Sequence, residues 1–148
     1  MTTHQSTASN EAQLRQLIEQ WTQALYAKDL NTLMSYYAPD ILTFDILPPL
    51  QYQGVDAYRK NFEAWFAAVQ GPIEYETRNL HIMTGEDVAF CHSLTRVKST
   101  STTGETTETW VRVTVGFRKI EGTWRIVHEH VSVPCDMETA RALLDLQP

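Results

Sequence analysis

The stretch that decides the fold is Glu108-Thr-Trp-Val-Arg-Val-Thr-Val-Gly-Phe-Arg-Lys-Ile120, then Glu121-Gly122, then Thr123-Trp-Arg-Ile-Val-His-Glu-His-Val-Ser-Val133. Alternation of period two on both sides of a glycine-containing turn predicts a long β-hairpin. On the first strand Val111, Val113, Val115 and Phe117 share one face, and Trp110, Arg112, Thr114 and Gly116 share the other. On the second, Val127, Glu129 and Val131 alternate with Ile126, His128, His130 and Ser132. A three-residue turn sets the valine face beside Val127, Glu129 and Val131, whereas a two-residue turn swaps the faces. The first pairing is preferred, because it yields one apolar and one polar face. The apolar face belongs beneath the rest of the chain, since burying such surface drives folding.

Working outward from the hairpin, period two continues back to residue 73. Ile73–Met83 and Val88–Lys98 read as strands joined by Gly85-Glu86-Asp87, and Ser99–Thr107 reads as an exposed hairpin loop. Before residue 73 the period is helical. Asn10 with Gln13 resembles a capping box, and Leu14, Leu17, Ile18, Trp21 and Leu25 make one apolar helix face. Asp29 caps a short second helix carrying Leu30, Leu33, Met34 and Tyr37, which Pro39 stops. Ile41–Ile46 is a short strand ended by Pro48-Pro49. Gly54 opens a third helix with Tyr58, Phe62, Trp65, Phe66 and Val69 on its buried face, terminated by Gly71-Pro72. Asp136 caps a short C-terminal helix running through Leu146, and residues 1–9 read as a flexible tail before one domain over residues 10–148. Helices first, then a four-strand meander, is an α+β pattern: about three N-terminal helices on one face of an antiparallel sheet.

The totals restrict the function. At 148 residues, about 70% of the unfolded chain's surface can be buried, enough for one core and a modest cavity. Acidic residues outnumber basic ones 18 to 12, with no Lys/Arg cluster, which argues against nucleic acid and anionic membranes as partners. No apolar run approaches the roughly 20 residues of a membrane span. The polar start, Met1–Asn10, is not a signal peptide, which places the chain in the cytoplasm. Cys91 and Cys135 have no metal-type spacing. No Ser, His and acid fall in a nucleophile elbow, so a nucleophilic hydrolase is not indicated.

On the valine face, Glu129 is the one polar intruder. A buried carboxylate is costly unless paired or protonated, and its pKa should rise, which is how a neutral-pH acid or base is made. The competing reading sets Glu129 near the sheet edge, paired with a surface arginine. The opposite face, with Trp110, Arg112, Thr114, His128, His130 and Ser132, has two His at i and i+2 but no third ligand by spacing, and Arg112 repels a cation. No metal is expected there. A homodimer interface suits those residue types better. His92 shares a face with Val88, Phe90 and Leu94, so it is either a core residue or part of a pocket.

Trp21-Thr-Gln-Ala-Leu-Tyr-Ala-Lys-Asp-Leu-Asn and Tyr37-Ala-Pro-Asp40-Ile-Leu-Thr-Phe-Asp45 resemble the start of the nuclear-transport-factor-2-like superfamily, which includes SnoaL-like proteins and ketosteroid isomerase. Gly122-Thr-Trp124-Arg-Ile-Val-His128-Glu-His130-Val-Ser132 is similar to the SnoaL-like branch and to the association domain of calcium/calmodulin-dependent protein kinase II. The likeness runs over roughly residues 11 to 134 and is specific for fold rather than activity. It implies a cone: a strongly curved sheet whose concave side is closed by three helices around a pocket, with dimers through the outer face. It also implies that Asp45 occupies the isomerase's general-base position at the pocket mouth. Strand parity disagrees, since Leu42, Phe44 and Ile46 make the apolar side and turn Asp45 away. The isomerase's oxyanion donors do not match, as Trp21 stands at the tyrosine position and Val113 or Val115 near the second acid.

Two functions follow. In one, Asp45 or Glu129 abstracts a proton from a small carbonyl or polyketide-like substrate, with His92, Tyr58 or Trp21 orienting the oxyanion and no cofactor needed. The reaction would be an isomerisation, cyclisation or dehydration, and the pocket wall would be Trp21, Tyr58, Trp65, Phe66, Leu94, Val115 and Val131. In the other, the chain is a non-catalytic ligand-binding or dimeric association module.

Overall fold

The computed structural model describes the backbone of residues 3–148 and the side chains of residues 8–148. The hairpin forms from β5 (Thr106–Ile120) and β6 (Thr123–Ser132). Its turn has two residues, Glu121 and Gly122, both at positive φ (49° and 80°), the conformation that matches strand twist. The register then shifts between Gly116 and Phe117, so that Phe117 pairs with Ile126 and Gly116 with His128, leaving Val127 as an extra residue in β6. This bulge restores the pairings that a three-residue turn would have made: Val115 with Glu129 and Val113 with Val131. It also corrects the expected faces on the turn side of the bulge. Ile126 is buried in the core, and Val127 joins His128 against Gly116.

The six-stranded sheet has the order β2-β1-β6-β5-β4-β3. Strands β3 (Val69–Thr84) and β4 (Val88–Ser101) complete the meander. The sheet is mixed rather than wholly antiparallel, because β1 (Tyr37–Phe44) lies parallel to β6. The chain leaves β1 through the short β2 (Tyr52–Gln53) and α3 (Val55–Ala68), runs the whole meander, and returns beside β1 in the same direction. Register shifts in β3, between Gln70 and Glu74 and between Arg78 and His81, fall at Gly71 and Asn79, both at positive φ. Bulges of this kind bend a strand and curl the sheet toward the helices.

Helix α1 spans Thr3–Tyr26, so it begins well before Asn10. Residues 1–2 of the expected tail lie outside the described residues. Asn10 is buried and joins elements instead of capping: its amide donates to the carbonyls of Gly85 (3.0 Å) and Glu86 (3.3 Å), and its Oδ1 accepts from Lys119 Nζ at 2.6 Å. Helix α2 (Leu30–Ser35) is capped by Asp29, whose carboxylate accepts from the Thr32 N–H at 3.2 Å. Tyr37 is not on that helix but opens β1. Gly54 caps α3 at φ 90°, and its N–H donates to Ile41 O at 2.7 Å. Beyond β6 there is no C-terminal helix. Asp136 accepts from the N–H groups of Glu138 and Thr139 in a tight turn, and the chain reverses into a two-stranded ribbon, β7 (Cys135–Asp136) with β8 (Arg141–Ala142). The core lies between α1, α2, α3 and the inner sheet face, built on Leu14, Leu25, Leu33, Ile41, Phe117 and Ile126.

Asn10→Ala is expected to lower the urea midpoint by the equivalent of about 1–3 kcal/mol, since buried partners lose their hydrogen bonds. Gln13→Ala, at an exposed mid-helix position, should stay within about 0.5 kcal/mol of the parent.

Candidate active site

Between the helices and the inner sheet face is a cavity of about 520 Å³, inside the range of roughly 300–1,000 Å³ typical of small-molecule sites. Its helix-side wall is aromatic: Trp21 from α1, and Phe62 and Trp65 from α3. Its sheet-side wall is Cys91 from β4, Val111, Val113 and Val115 from β5, and Val131 from β6. Ile46, Leu47 and Leu144, all substantially exposed, form part of the rim. The wall is apolar because helix and strand periodicities aim their hydrophobic positions at each other. Scattered hydroxyls such as Thr77 and Ser93 also line it, and its ionisable groups gather in a polar cluster at Glu129.

Glu129 enters the cavity from β6 and is only 7% exposed. Its partners are two phenols rather than a surface arginine. Tyr37 Oη donates to Oε1 at 2.8 Å, and Tyr58 Oη lies 2.9 Å from Oε2. Trp21 Nε1 donates to Tyr37 Oη at 2.9 Å. Asp45, at the end of β1, is half-buried and also lines the cavity. Its Oδ2 lies 3.1 Å from Tyr58 Oη and 3.5 Å from Asn61 Nδ2, and its Oδ1 accepts from the Leu47 N–H at 3.2 Å. The two carboxyls are therefore bridged by one tyrosine hydroxyl.

Burial pushes the Glu129 carboxyl up to about 7; the hydroxyls of Tyr37 and Tyr58 pull it back, and the nearby charge of Asp45 adds to the rise. The Tyr37 and Tyr58 hydroxyls are held well above the usual phenol range, by burial first and then by Glu129, so both remain donors. Cys91 is pushed up to about 11 by burial and by Glu129, which keeps its thiol neutral and poorly nucleophilic.

Of the residues expected from the sequence, Asp45, Glu129, Trp21, Tyr58, Trp65, Val115 and Val131 line this cavity. Phe66 does not; it packs beside Phe62 and Trp65 on the core's flank. His92 and Leu94 lie on the other side of the sheet, with His92 exposed and its ring 5.3 Å from that of His81. The error was to point the more apolar side of β4 inward. Ala89 and Cys91, the smaller residues, are buried against the core, while Val88 and Phe90 remain exposed. The same error affected β1: Ile41 and Thr43 are fully buried, whereas Phe44 packs between the rings of His128 (4.9 Å) and His130 (5.4 Å). That outward placement of Phe44 turns Asp45 inward.

Tyr37 and Asn61 were not anticipated. Helical spacing sets Tyr37 at the end of a helix face, although Pro39 two residues later disfavours helix there, a signal for the strand that the tyrosine opens. Asn61 had no distinguishing pattern.

Trp110, Arg112, Thr114, His128, His130 and Ser132 lie on the outer face. Arg112 Nε donates to Ser132 Oγ at 3.1 Å, the Arg78 guanidinium sits 4.8 Å over Trp110, and His128 Nδ1 is 2.6 Å from Leu42 O. Among the described residues no group of three or more His, Cys, Asp or Glu is arranged to hold a metal. No described helix is long and apolar enough to cross a membrane.

The profile of the SnoaL-like domain matches residues 14–136. An NTF2-like protein of unknown function from Pseudomonas putida is 37% identical, with 95% of this chain and 98% of that one covered at a TM-score of 0.87. A ketosteroid isomerase-like protein from Erwinia carotovora atroseptica superposes at TM-score 0.70 with 22% identity, over 82% and 93% of the two chains. The association domain of C. elegans calcium/calmodulin-dependent protein kinase II does so at 0.66 with 18% identity, over 86% and 98%. A search of curated proteins finds no match. With its profile match spanning most of the chain and its curved sheet closed by N-terminal helices, the chain belongs to the SnoaL-like domain family within the NTF2-like fold.

Proposed function

We propose that this protein is an enzyme that binds a small, largely apolar molecule and moves a proton on it without a cofactor, as an isomerase, cyclase or dehydratase. The observation that carries the reading is the pair of carboxyls in an apolar cavity, one half-buried and one buried, joined through Tyr58. Asp45, nearer the rim, is the general base that meets the substrate. Glu129, shifted up to about 7, is the group whose protonation changes near neutral pH. Tyr37, locked by the Trp21 N–H, orients Glu129. The aromatic wall of Trp21, Phe62 and Trp65 favours a flat substrate.

A homodimer through the outer face completes the proposal. That face presents Arg112, His130 and Trp110, residue types common at interfaces. Light scattering at micromolar concentration is expected to give twice the chain mass, and Arg112→Glu with His130→Ala to give the monomer. A monomeric parent protein would remove this part of the proposal.

Once a substrate is found by screening carbonyl and hydroxylated aromatic compounds, Asp45→Asn and Glu129→Gln should each lower kcat by about 10²–10⁴. Unchanged turnover of every accepted substrate in both variants would end the enzyme reading.

Stability carries a second signature. Glu129 gives up its proton near 4.5 when unfolded and near 7 when folded. Between those values the folded state binds more protons, so stability falls as pH rises through the window and is level above it. The parent should lose about 3 kcal/mol from this group between pH of about 4.5 and 7. Glu129→Gln should lack that component when urea midpoints are compared across the same pH range.

A further inference from the structure

We propose that Tyr58 is a proton relay between Asp45 and Glu129, so that the two carboxyls hold one proton in common and work as a single acid–base unit. The inference comes from counting hydrogens. An indole N–H only donates, so the 2.9 Å contact from Trp21 Nε1 makes Tyr37 Oη an acceptor there. The single hydrogen of Tyr37 is then committed to Glu129 Oε1, 2.8 Å away. Any proton carried by Glu129 therefore sits on Oε2, facing Tyr58.

Tyr58 Oη has contacts of 2.9 Å to Glu129 Oε2 and 3.1 Å to Asp45 Oδ2, and only one hydrogen to place in them. With both carboxyls ionised, one of these contacts is an oxygen pair with no hydrogen between its members. One added proton satisfies both, in either of two arrangements. In the first, Glu129 Oε2–H donates to Tyr58 Oη and Tyr58 donates to Asp45 Oδ2. In the second, Asp45 Oδ2–H donates to Tyr58 Oη and Tyr58 donates to Glu129 Oε2. Passing between them moves the carboxyl's hydrogen onto Tyr58 and the hydroxyl's hydrogen onto the other carboxyl. The net result is one proton transferred one way and one negative charge the other, with no heavy atom displaced.

The surroundings favour this route. The titratable groups facing Glu129 are Tyr37 from β1, Tyr58 from α3, Tyr75 from β3, Cys91 from β4 and Asp45. The three phenols and the thiol are all shifted upward and keep their own protons near neutral pH. Asp45, half-buried, is the one that connects Glu129 to the cavity rim. With both carboxyls ionised, a proton that Asp45 takes from a substrate is passed through Tyr58 to Glu129 Oε2, as the Tyr58 hydrogen moves onto Glu129 and the proton from Asp45 onto Tyr58, and it is returned by the same path to the product or leaving oxygen.

The relay rests on the acid–base reading of this site, but it can be tested on the substrate-free full chain. Carboxyl carbons of Asp and Glu, and the Tyr58 Cζ, would be followed by carbon-13 NMR against pH in the parent, Tyr58→Phe and Asp45→Asn proteins. In the parent, the Asp45 and Glu129 carbons should each report the step near neutral pH, and Tyr58 Cζ should move with it. In Tyr58→Phe, Asp45 should cease to report that step, and Glu129 should titrate higher for want of a donor. In Asp45→Asn, the Glu129 midpoint should move downward as a single step. This variant sits at a half-exposed position and keeps the test open should Tyr58→Phe fail to fold. Independent titration of the two carbons in the parent would overturn the relay. So would a coupled step that survives unchanged in Tyr58→Phe, which is the behaviour of charge repulsion alone. Coupling together with unaltered turnover in Asp45→Asn would sink the enzyme reading and leave the relay standing.

Discussion

Opposite the step from Gly116 to Phe117, β6 carries one residue more than β5 uses, and the placement of the site depends on that residue. A two-residue turn alone would send Glu129 to the outer face and His128 and His130 toward the helices. The bulge at Val127 reverses the parity, so that Trp124 and Ile126 on one side of it and Glu129 and Val131 on the other all face inward. Glycine at 116 suits the spot, because a Cβ there would lie 3.4 Å from that of His128. β-bulges are frequent beside active sites for this reason: they re-aim a side chain without breaking the sheet.

Turning a carboxyl inward has a cost that the surrounding residues only partly offset. Two phenol hydroxyls reach Glu129, yet desolvation still dominates and holds it protonated up to about 7. Replacing either phenol by a cation would satisfy the charge better and would also remove the shift. The arrangement trades some stability for a group that changes protonation in the neutral range, a trade usual where chemistry is done. Asp45 shares Tyr58 with Glu129, which links the buried acid to the open end of the cavity.

Much of the architecture was legible in the sequence. The helical faces, the capping by Asp29 and the four-strand meander follow from periodicity and from Gly, Pro and Asp signals. The resemblance of Tyr37–Asp45 and Gly122–Ser132 to a known superfamily supplied the curved sheet, and the inward course of Asp45 that strand parity had opposed. What remained hidden was non-local. A bulge leaves no local signature in Arg-Ile-Val-His, and the parallel pairing of β1 with β6 depends on where the chain returns. His92 and Leu94 lie on the more apolar side of β4, which faces outward, while the smaller Ala89 and Cys91 are the residues buried against the core. Tyr37 was hidden by a boundary error of two residues, which concealed its role as a partner of Glu129.

The central claim is that Glu129 sits protonated in a largely apolar cavity until pH approaches neutrality. Infrared difference spectroscopy of the parent protein against Glu129→Gln, taken across pH, addresses it without any substrate. The structure predicts a carboxylic acid carbonyl band, absent from the variant, that persists at pH of about 5.5 and disappears as pH rises through about 7. A Glu129 signal that is already carboxylate at pH of about 5.5 would contradict it. Glu129 would then be solvated or paired with a cation, and the cavity would hold no acid of the kind described.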